Sequence, residues 1–594
     1  MNGKNRRVSG CWARGKSRYS IKSSRRSIRR PDPNTYSLPV FSSTLKDKIN
    51  NEQRALLRYF ETFPYVTKME EYSYNANTAG ALVKIRNSHF MNGTLRITKP
   101  GIYILQENIL FGPNEQNDFM PNGGDIASGK YPVGADGAYH LGFFAGITIE
   151  TTGVILDLNS FTIQQTKLHN IQQRFYANIE LASAPFIAKQ GPGSFSTNDT
   201  YRAANKVLIR NGTLGVSSHH GIHGNAMKNV VIDGLTIEQF EVAGIALNGT
   251  QTGIIHNTTM KDVAQNIPVL STYSQSRFIR SFLSKVPSNA TLEIEGATKT
   301  KETIMDELNN ALATTKNEIM TNKEISNTLF NNTTKLYDGN VYGMVLHAKG
   351  VVVNGFVRDR NTAVGNTNIH LQDIVISNIV SHPIEIIGLS NPVPPPNGAY
   401  GVTSQSGPVG GIFLIEQATN AANKTYKPNV LSNAQLLIAK NNEPKKGTTS
   451  LAKDTVDWVE KQTNLDIVMS DNGYYYVNGH DSMGHTMKGN IGLFISAAES
   501  ITGHNINVTS VHNKGHSVGT SPLISFGSQK FQGASSVGIL FTGSKDVAFT
   551  NSAIHDSQIV SDSSNHGLVN HHSLYAISSA NISHNGVNKT NDEE

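Results

Sequence analysis

The stretches "VLIRNGTL" (Val207–Leu214), "VVIDGLTI" (Val230–Ile237) and "GIIHNTTM" (Gly253–Met260) start 23 residues apart and share one template, V-x-I-x-N-x-x-I. A fixed period of that length is the mark of a solenoid, in which each repeat is one winding of the chain. Numbering the template from 0, positions 0 and 2 alternate as in a half-buried strand and point inward. Position 4 holds Asn211, Gly234 and Asn257, residue types that tolerate the left-handed backbone of a tight turn, and position 7 points inward from the next strand. A third strand follows in "GIHG" (Gly221–Gly224) and "GIALNG" (Gly244–Gly249), again 23 residues apart. Three strands per winding predict an all-β solenoid, a parallel β-helix with helical insertions.

The template recurs at Ile369, Ile501 and Val547, with Asp373, Asn505 and Asn551 at the turn. Ile501 and Val547 lie 46 residues apart, and Ile524 stands midway as the expected start of a winding between them. One winding buries about four or five aliphatic side chains at roughly 1.5–3 kcal/mol each. Ordering its backbone costs about 1–2 kcal/mol per residue, so no winding folds alone. Stacked about 4.8 Å apart, windings share apolar faces and satisfy each other's backbone groups.

The same alternation marks "GTLRITKPGIYILQENILF" (Gly93–Phe111) and "AGITIETTGVILDLNSFTI" (Ala145–Ile163). The resulting layout begins with a disordered basic arm over 1–40 and a helical cap or linker over 41–92, whose helix spans Leu45–Phe63. N-terminal β-helix coils occupy 93–263, with an irregular excursion at 165–204. A partly helical insertion follows over 264–366, including a helix at Lys301–Phe330. Coils resume over 367–416, a stretch that includes the stiff "NPVPPPN" loop (Asn391–Asn397). A second partly helical insertion fills 417–490, with a helix around Ser450–Gln462, and C-terminal coils and a tail complete 491–594.

The single cysteine, Cys11, excludes an internal disulfide framework and any cysteine-based metal cluster. No run reaches the roughly 18 apolar residues of a membrane span, and the N-terminus has no apolar signal core, so a soluble chain is expected. The net charge of +7 belongs to the arm: residues 1–30 hold eleven Lys or Arg and no acid, leaving 41 basic against 45 acidic side chains in the rest. Such an arm is too charged and too poor in apolar residues to fold alone. Its arginines, Arg6, Arg7, Arg25, Arg26, Arg29 and Arg30 among them, suit a non-specific nucleic acid or other polyanion through salt-sensitive phosphate contacts. A targeting sequence or an inert solubilising tail has the same composition. "GCWARGKS" (Gly10–Ser17) matches a phosphate-loop pattern but has neither the preceding strand nor the following helix that such a loop requires.

"GIYILQENI" followed by "GVILDLNSFTI" resembles the N-terminal coils of the right-handed parallel β-helix, or pectate-lyase-like, superfamily, with Ser160 where a glycine is usual. Together with the repeats, the resemblance covers roughly residues 93–260, 366–390 and 490–560. It implies the fold in its right-handed form, a right-handed parallel β-helix, and it admits polysaccharide lyases, glycoside hydrolases and proteins without activity. An Asn-rich β-helix with a basic arm also resembles proteins of large DNA viruses.

The candidate site residues follow from the strand alternation. His223 points outward from the "GIHG" strand, whose outer surface in the resembled carbohydrate enzymes carries the catalytic groups. One winding on, the matching residue is Ala246, and neither "GIHG" nor "GIALNG" supplies the carboxylate pair of a glycosidase. Arg210, Asp233 and His256 share position 3 and stack outward, either as a site for a sugar acid or proton transfer or, on the plainer reading, as a surface ion-pair ladder worth at most about 1 kcal/mol per contact. His480, Asp481 and His485 in "NGHDSMGH" are the metal candidates, and a polar loop is the plainer reading. Leu208, Val231 and Ile254 share position 1 and form an outward apolar stripe that an insertion or a second subunit must cover, which motivates a homo-oligomer.

Two functional expectations result. The first is a non-catalytic structural or adhesin-like protein, virion-associated by the viral resemblance, contacting glycans or proteins through the β-helix surface. The alternative is a polysaccharide lyase or glycoside hydrolase; only the lyase reading brings a cofactor, calcium.

Overall fold

The computed structural model describes residues 36–63, 69–71, 81–185 apart from 134–136, 141 and 174–175, and 201–263; beyond these it describes separate strand segments between 291 and 590 and a few residues between 302 and 309. The described residues form a parallel β-helix. Position 0 of the template pairs in register from winding to winding, Val207 with Val230, Val230 with Gly253, Gly253 with Ile369, Ile369 with Ile501 and Ile501 with Val547. The turn residues Asn211, Gly234, Asn257, Asp373, Asn505 and Asn551 all have φ between 47° and 67°, the left-handed region that Asn, Asp and Gly enter at least cost. The apolar side chains at positions 0, 2 and 7 enter one continuous core. At position 2 Gly503 leaves room for its neighbour: a Cβ there would lie 2.4 Å from the ring of Phe549 in the next winding.

The larger sheet runs in order through Met69–Glu71, Ala81–Ile85, Gly101–Leu105, Thr152–Asp157, Asn205–Leu214, Lys228–Phe240, Gln251–Val263, Asn366–Ser381, Ala498–Asn513, Lys545–Thr550 and Ala580–Asn585. The position-4 turn folds each long strand into two faces, which the shorter windings show as separate strands, Thr152–Asp157 with Thr162–Gln165 and Lys545–Thr550 with Ala553–Gln558. The smaller sheet closes each winding. Its order is Leu95–Ile97, Ala145–Ile149, Ala177–Glu180, His220–Asn225, Ala243–Asn248, Val341–His347, Gly489–Ser496, Ser535–Thr542 and Asn570–Ile577.

Several elements depart from the sequence reading. The coils begin before residue 93, because Ala81–Ile85 pairs with Gly101–Leu105. The stretch 165–204, read as irregular, holds a short helix, Lys167–Gln172, and the strand Ala177–Glu180, inserted between Ala145–Ile149 and His220–Asn225. The strand Val341–His347 lies within the expected insertion 264–366. Ile524 starts no winding: Ile524–Phe526 pairs antiparallel with Gln529–Phe531, while Ala498–Asn513 pairs directly with Lys545–Thr550. The 46-residue offset is therefore one winding with a long connection. Most of Lys301–Phe330, all of Ser450–Gln462, the loop Asn391–Asn397 and residues 1–35 of the arm lie outside the described residues.

The apolar stripe is covered from within the chain. Residues 45–63 form two helices, α1 (Ser43–Lys48) and α2 (Asn51–Glu61), broken at Asn50, which starts α2 with a capping box to Gln53. Their buried residues Leu45, Leu56, Leu57 and Phe60 do not belong to the coil interior. Leu208, Val231 and Ile254 are likewise buried outside it, and α2 packs against Gln251–Val263. The expected cover was an insertion or a second subunit; the N-terminal helices already provide one, so the stripe no longer argues for an oligomer.

Candidate functional site

The outer row of the smaller sheet holds the densest buried ionisable cluster described. Register places Arg96 beside Thr148, Thr148 beside Glu180, and Glu180 beside His223. The row continues through Ala246, Val345 and Phe494. His223 Nδ1 lies 2.6 Å from Glu180 Oε2, and its Nε2 lies 3.3 Å from Asn248 Nδ2. Nδ1 carries the proton offered to Glu180, and Nε2 faces the Asn248 amide. The result is an imidazole oriented by a buried carboxylate, an arrangement suited to proton transfer.

Neighbours fix this pair. His220 stacks on His223 with ring centroids 4.8 Å apart, and burial, then the charge of His223, holds the His220 pKa well below its ordinary value. Asn248 donates to Asn225 Oδ1 at 3.0 Å, and Asn225 donates to the Pro185 carbonyl at 2.7 Å. Tyr201 donates to the Asn225 carbonyl at 2.8 Å, and burial raises its pKa well above the ordinary value. A second carboxylate, Glu150, accepts from Arg96 Nε at 2.7 Å, from Arg96 Nη2 at 2.6 Å and from Thr148 at 2.7 Å. Glu150 and Glu180 are both buried, which costs several kcal/mol per ion unless each is paired as here.

Of the sequence candidates, His223 lies in this cluster; the outward Arg210, Asp233 and His256 lie in a second array on the larger sheet. Arg210 Nε is 2.8 Å from Asp157 Oδ2. His256 Nδ1 is 2.7 Å from Asp233 Oδ1, and its Nε2 is 3.4 Å from Asp373 Oδ2. Asp373 also accepts from Asn505 at 2.6 Å and from Gln372 at 3.2 Å. Burial alone would raise the Asp373 pKa, but these hydrogen bonds and the nearby His256 and His504 leave it lowered. His504 is shifted down by burial and by the charge of Lys48. His370, buried beside Gln372, is also lowered, chiefly by burial. The column holds two partly buried groups of contacts, Arg210 with Asp157 and His256 with Asp233 and Asp373.

Glu180, Glu150 and Arg96 were not candidates in the sequence. Their signal is present in hindsight, since "AGITIE" (Ala145–Glu150) and "ANIE" (Ala177–Glu180) align with "HGIHG" through Ile147, Ile179 and Ile222. The helix at Lys167–Gln172 breaks the 23-residue spacing that would have exposed it. The metal candidates His480, Asp481 and His485 and the arm residues Arg6, Arg7, Arg25, Arg26, Arg29 and Arg30 lie outside the described residues. Among the described residues no group of three or more His, Cys, Asp or Glu is placed to hold a metal ion, and no helix is long and apolar enough to cross a membrane.

No protein-family model and no curated protein sequence matches the chain. Among solved structures it is similar to the A-module of the mannuronan C-5 epimerase AlgE6 of Azotobacter vinelandii, at 8% identity and a TM-score of 0.19, over 89% of this chain and 90% of that one. The parallel coils stand on their own strand pairing, independently of that likeness.

Proposed function

We propose that the chain is a non-catalytic, adhesin-like recognition scaffold that contacts glycans or other proteins from one edge of its β-helix. The observation that supports this reading is where extra chain leaves the windings. Segments 264–340, 382–488, 514–534 and 559–569 each join the C-terminal end of a larger-sheet strand (Val263, Ser381, Asn513, Gln558) to the start of a smaller-sheet strand (Val341, Gly489, Ser535, Asn570). In the two windings just before these the same corner is turned briefly, from Leu214 to His220 and from Phe240 to Ala243, whereas an early winding also carries a long excursion there, from Phe111 to Ala145. Repeat proteins that concentrate insertions at one side use that side for binding. Replacing 382–488 with a short Gly-Ser linker should abolish binding on a glycan or protein array while the remaining windings keep their far-UV spectrum. Undiminished binding by that variant would refute the display role.

The basic arm adds attachment to a polyanion, and placement on a virus particle belongs to the same proposal through the viral resemblance. Deleting residues 1–30 should remove salt-sensitive retention on heparin or DNA; unchanged retention excludes the tether. A second reading, a polysaccharide lyase or glycoside hydrolase, is favoured by the Glu180–His223 pair. It requires depolymerisation of an acidic or neutral polysaccharide that Glu180→Gln abolishes, and an inactive parent chain across a polysaccharide panel would dismiss it.

A further inference from the structure

We infer that the N-terminal helices are a lateral clasp that holds together the windings on either side of the 264–366 break, with Asn368 as its catch. From Asn205–Leu214 to Gln251–Val263 the larger-sheet strands are joined within short windings; the next, Asn366–Ser381, arrives after about a hundred residues, of which Val341–His347 returns to the smaller sheet. Closing so long a connection costs more entropy than closing a short one. A slip of one residue in the pairing of Gln251–Val263 with Asn366–Ser381 would turn every inward side chain outward. A joint closed over so long a connection gains from an external brace.

Helix α2 provides one. The residue preceding position 0 is left-handed from winding to winding; four of these, Lys206, Asn229, Thr252 and Asn368, have φ of 50°, 54°, 59° and 59°, and Ser500 and Asp546 continue the row. The first four cross three coil steps of about 4.8 Å. At roughly 1.5 Å per residue, the eleven residues of α2 match that span. At one end Lys206 Nζ sits 4.7 Å over the ring of Tyr59. At the other, Asn368 gathers nearly all the polar contacts described between α2 and the sheet. Its Oδ1 accepts from the Asn50 amide and, at 3.1 Å, from Gln53 Nε2. Its backbone carbonyl accepts from Gln53 Nε2 at 3.0 Å. Its own amide donates to Glu52 Oε2 at 2.8 Å and to Thr252 Oγ1 at 3.1 Å. Asn368 thus ties the capping box of α2 to the windings before and after the break. Between the two ends the apolar side of α2 packs on the strand Gln251–Val263, the last before the break.

The test is Asn368→Gly in the full chain, which keeps the left-handed backbone free of strain and removes every side-chain bond of the catch. Amide exchange should accelerate at least about tenfold in 51–61 and 366–381, with Gly101–Leu105 and Thr152–Asp157 unchanged. Unchanged exchange in 366–381, or equal acceleration in every winding, would overturn the clasp. A second variant, Gln53→Cys with Asn368→Cys in a Cys11→Ser background, should slow exchange in 366–381 on oxidation and restore it on reduction. A bond that forms without slowing exchange there would overturn it equally.

Discussion

Along the outer row of the smaller sheet, one backbone position is filled in two opposite ways. In the first windings the row reads Arg96, Thr148, Glu180 and His223; in later windings it continues as Ala246, Val345 and Phe494. Thr148, Glu180 and His223 are buried, and so are Ala246, Val345 and Phe494, the latter in an apolar cluster with Ala243, Tyr342 and Ile491. The pairing geometry does not change along the row. A winding therefore dictates where an outward side chain sits and leaves its chemistry free. The ionisable residues of the early windings carry a desolvation cost that later windings do without, so they mark the part of the surface where function is best sought.

The contrast breaks most forcefully if chemistry is moved from one end to the other. Val345→Asp puts an unpaired carboxylate into the apolar end of the row and should cost on the order of 5 kcal/mol in denaturant melts. A loss below about 1 kcal/mol would mean that the later row is wetter than its burial implies. Arg96→Met leaves Glu150 buried beside Thr148 alone and should cost about 3–5 kcal/mol by the same measurement. Giving the early row the residues of the later one, Glu180→Val with His223→Ala, should be neutral or stabilising by up to about 4 kcal/mol. A strong destabilisation of that double variant would show the pair to be structural.

Acid sharpens the comparison further. The pKa values of His220, His370 and His504 are lowered, so each is kept neutral in the folded chain below the ordinary value of about 6.5. Below that value the unfolded chain binds more protons than the folded one. The stability these neutral rings contribute is complete above about pH 6.5 and is lost as pH falls through their folded values. The lowered pKa of Asp373 adds a second loss below the ordinary carboxylate range. The melting temperature should therefore fall between pH 7.5 and 5.5, and His220→Phe and His370→Gln should each flatten that fall. The smallest effect belongs to the partly buried His256 contacts: His256→Gln should cost no more than about 1 kcal/mol at neutral pH in the same melts.

Much of the larger sheet was legible because its inward residues repeat: Val207, Val230 and Gly253 are spaced by the chain length of one winding, and the left-handed turn residues announce themselves as Asn, Asp or Gly. Ala177–Glu180 and Val341–His347 were not legible, since a helix or a long connection shifts them off the period although they obey the same alternation. Ile524 was misplaced for the converse reason, an accidental match to the period inside a hairpin. The Arg210–Asp233–His256 column followed from position 3 alone, whereas its closing partners Asp157 and Asp373 needed the register of neighbouring windings.

By itself the sequence determined that the chain winds, how many strands make one winding, and which side chains face inward, because these depend on local alternation and turn preference repeated at a fixed interval. Tertiary structure alone decided that α2 lies along the stripe of Leu208, Val231 and Ile254, and that Glu180 meets His223 across 43 residues. Such contacts join segments through stacking in space, and where a helix or a long connection breaks the period, spacing along the chain no longer encodes which outward residues come to share one buried neighbourhood.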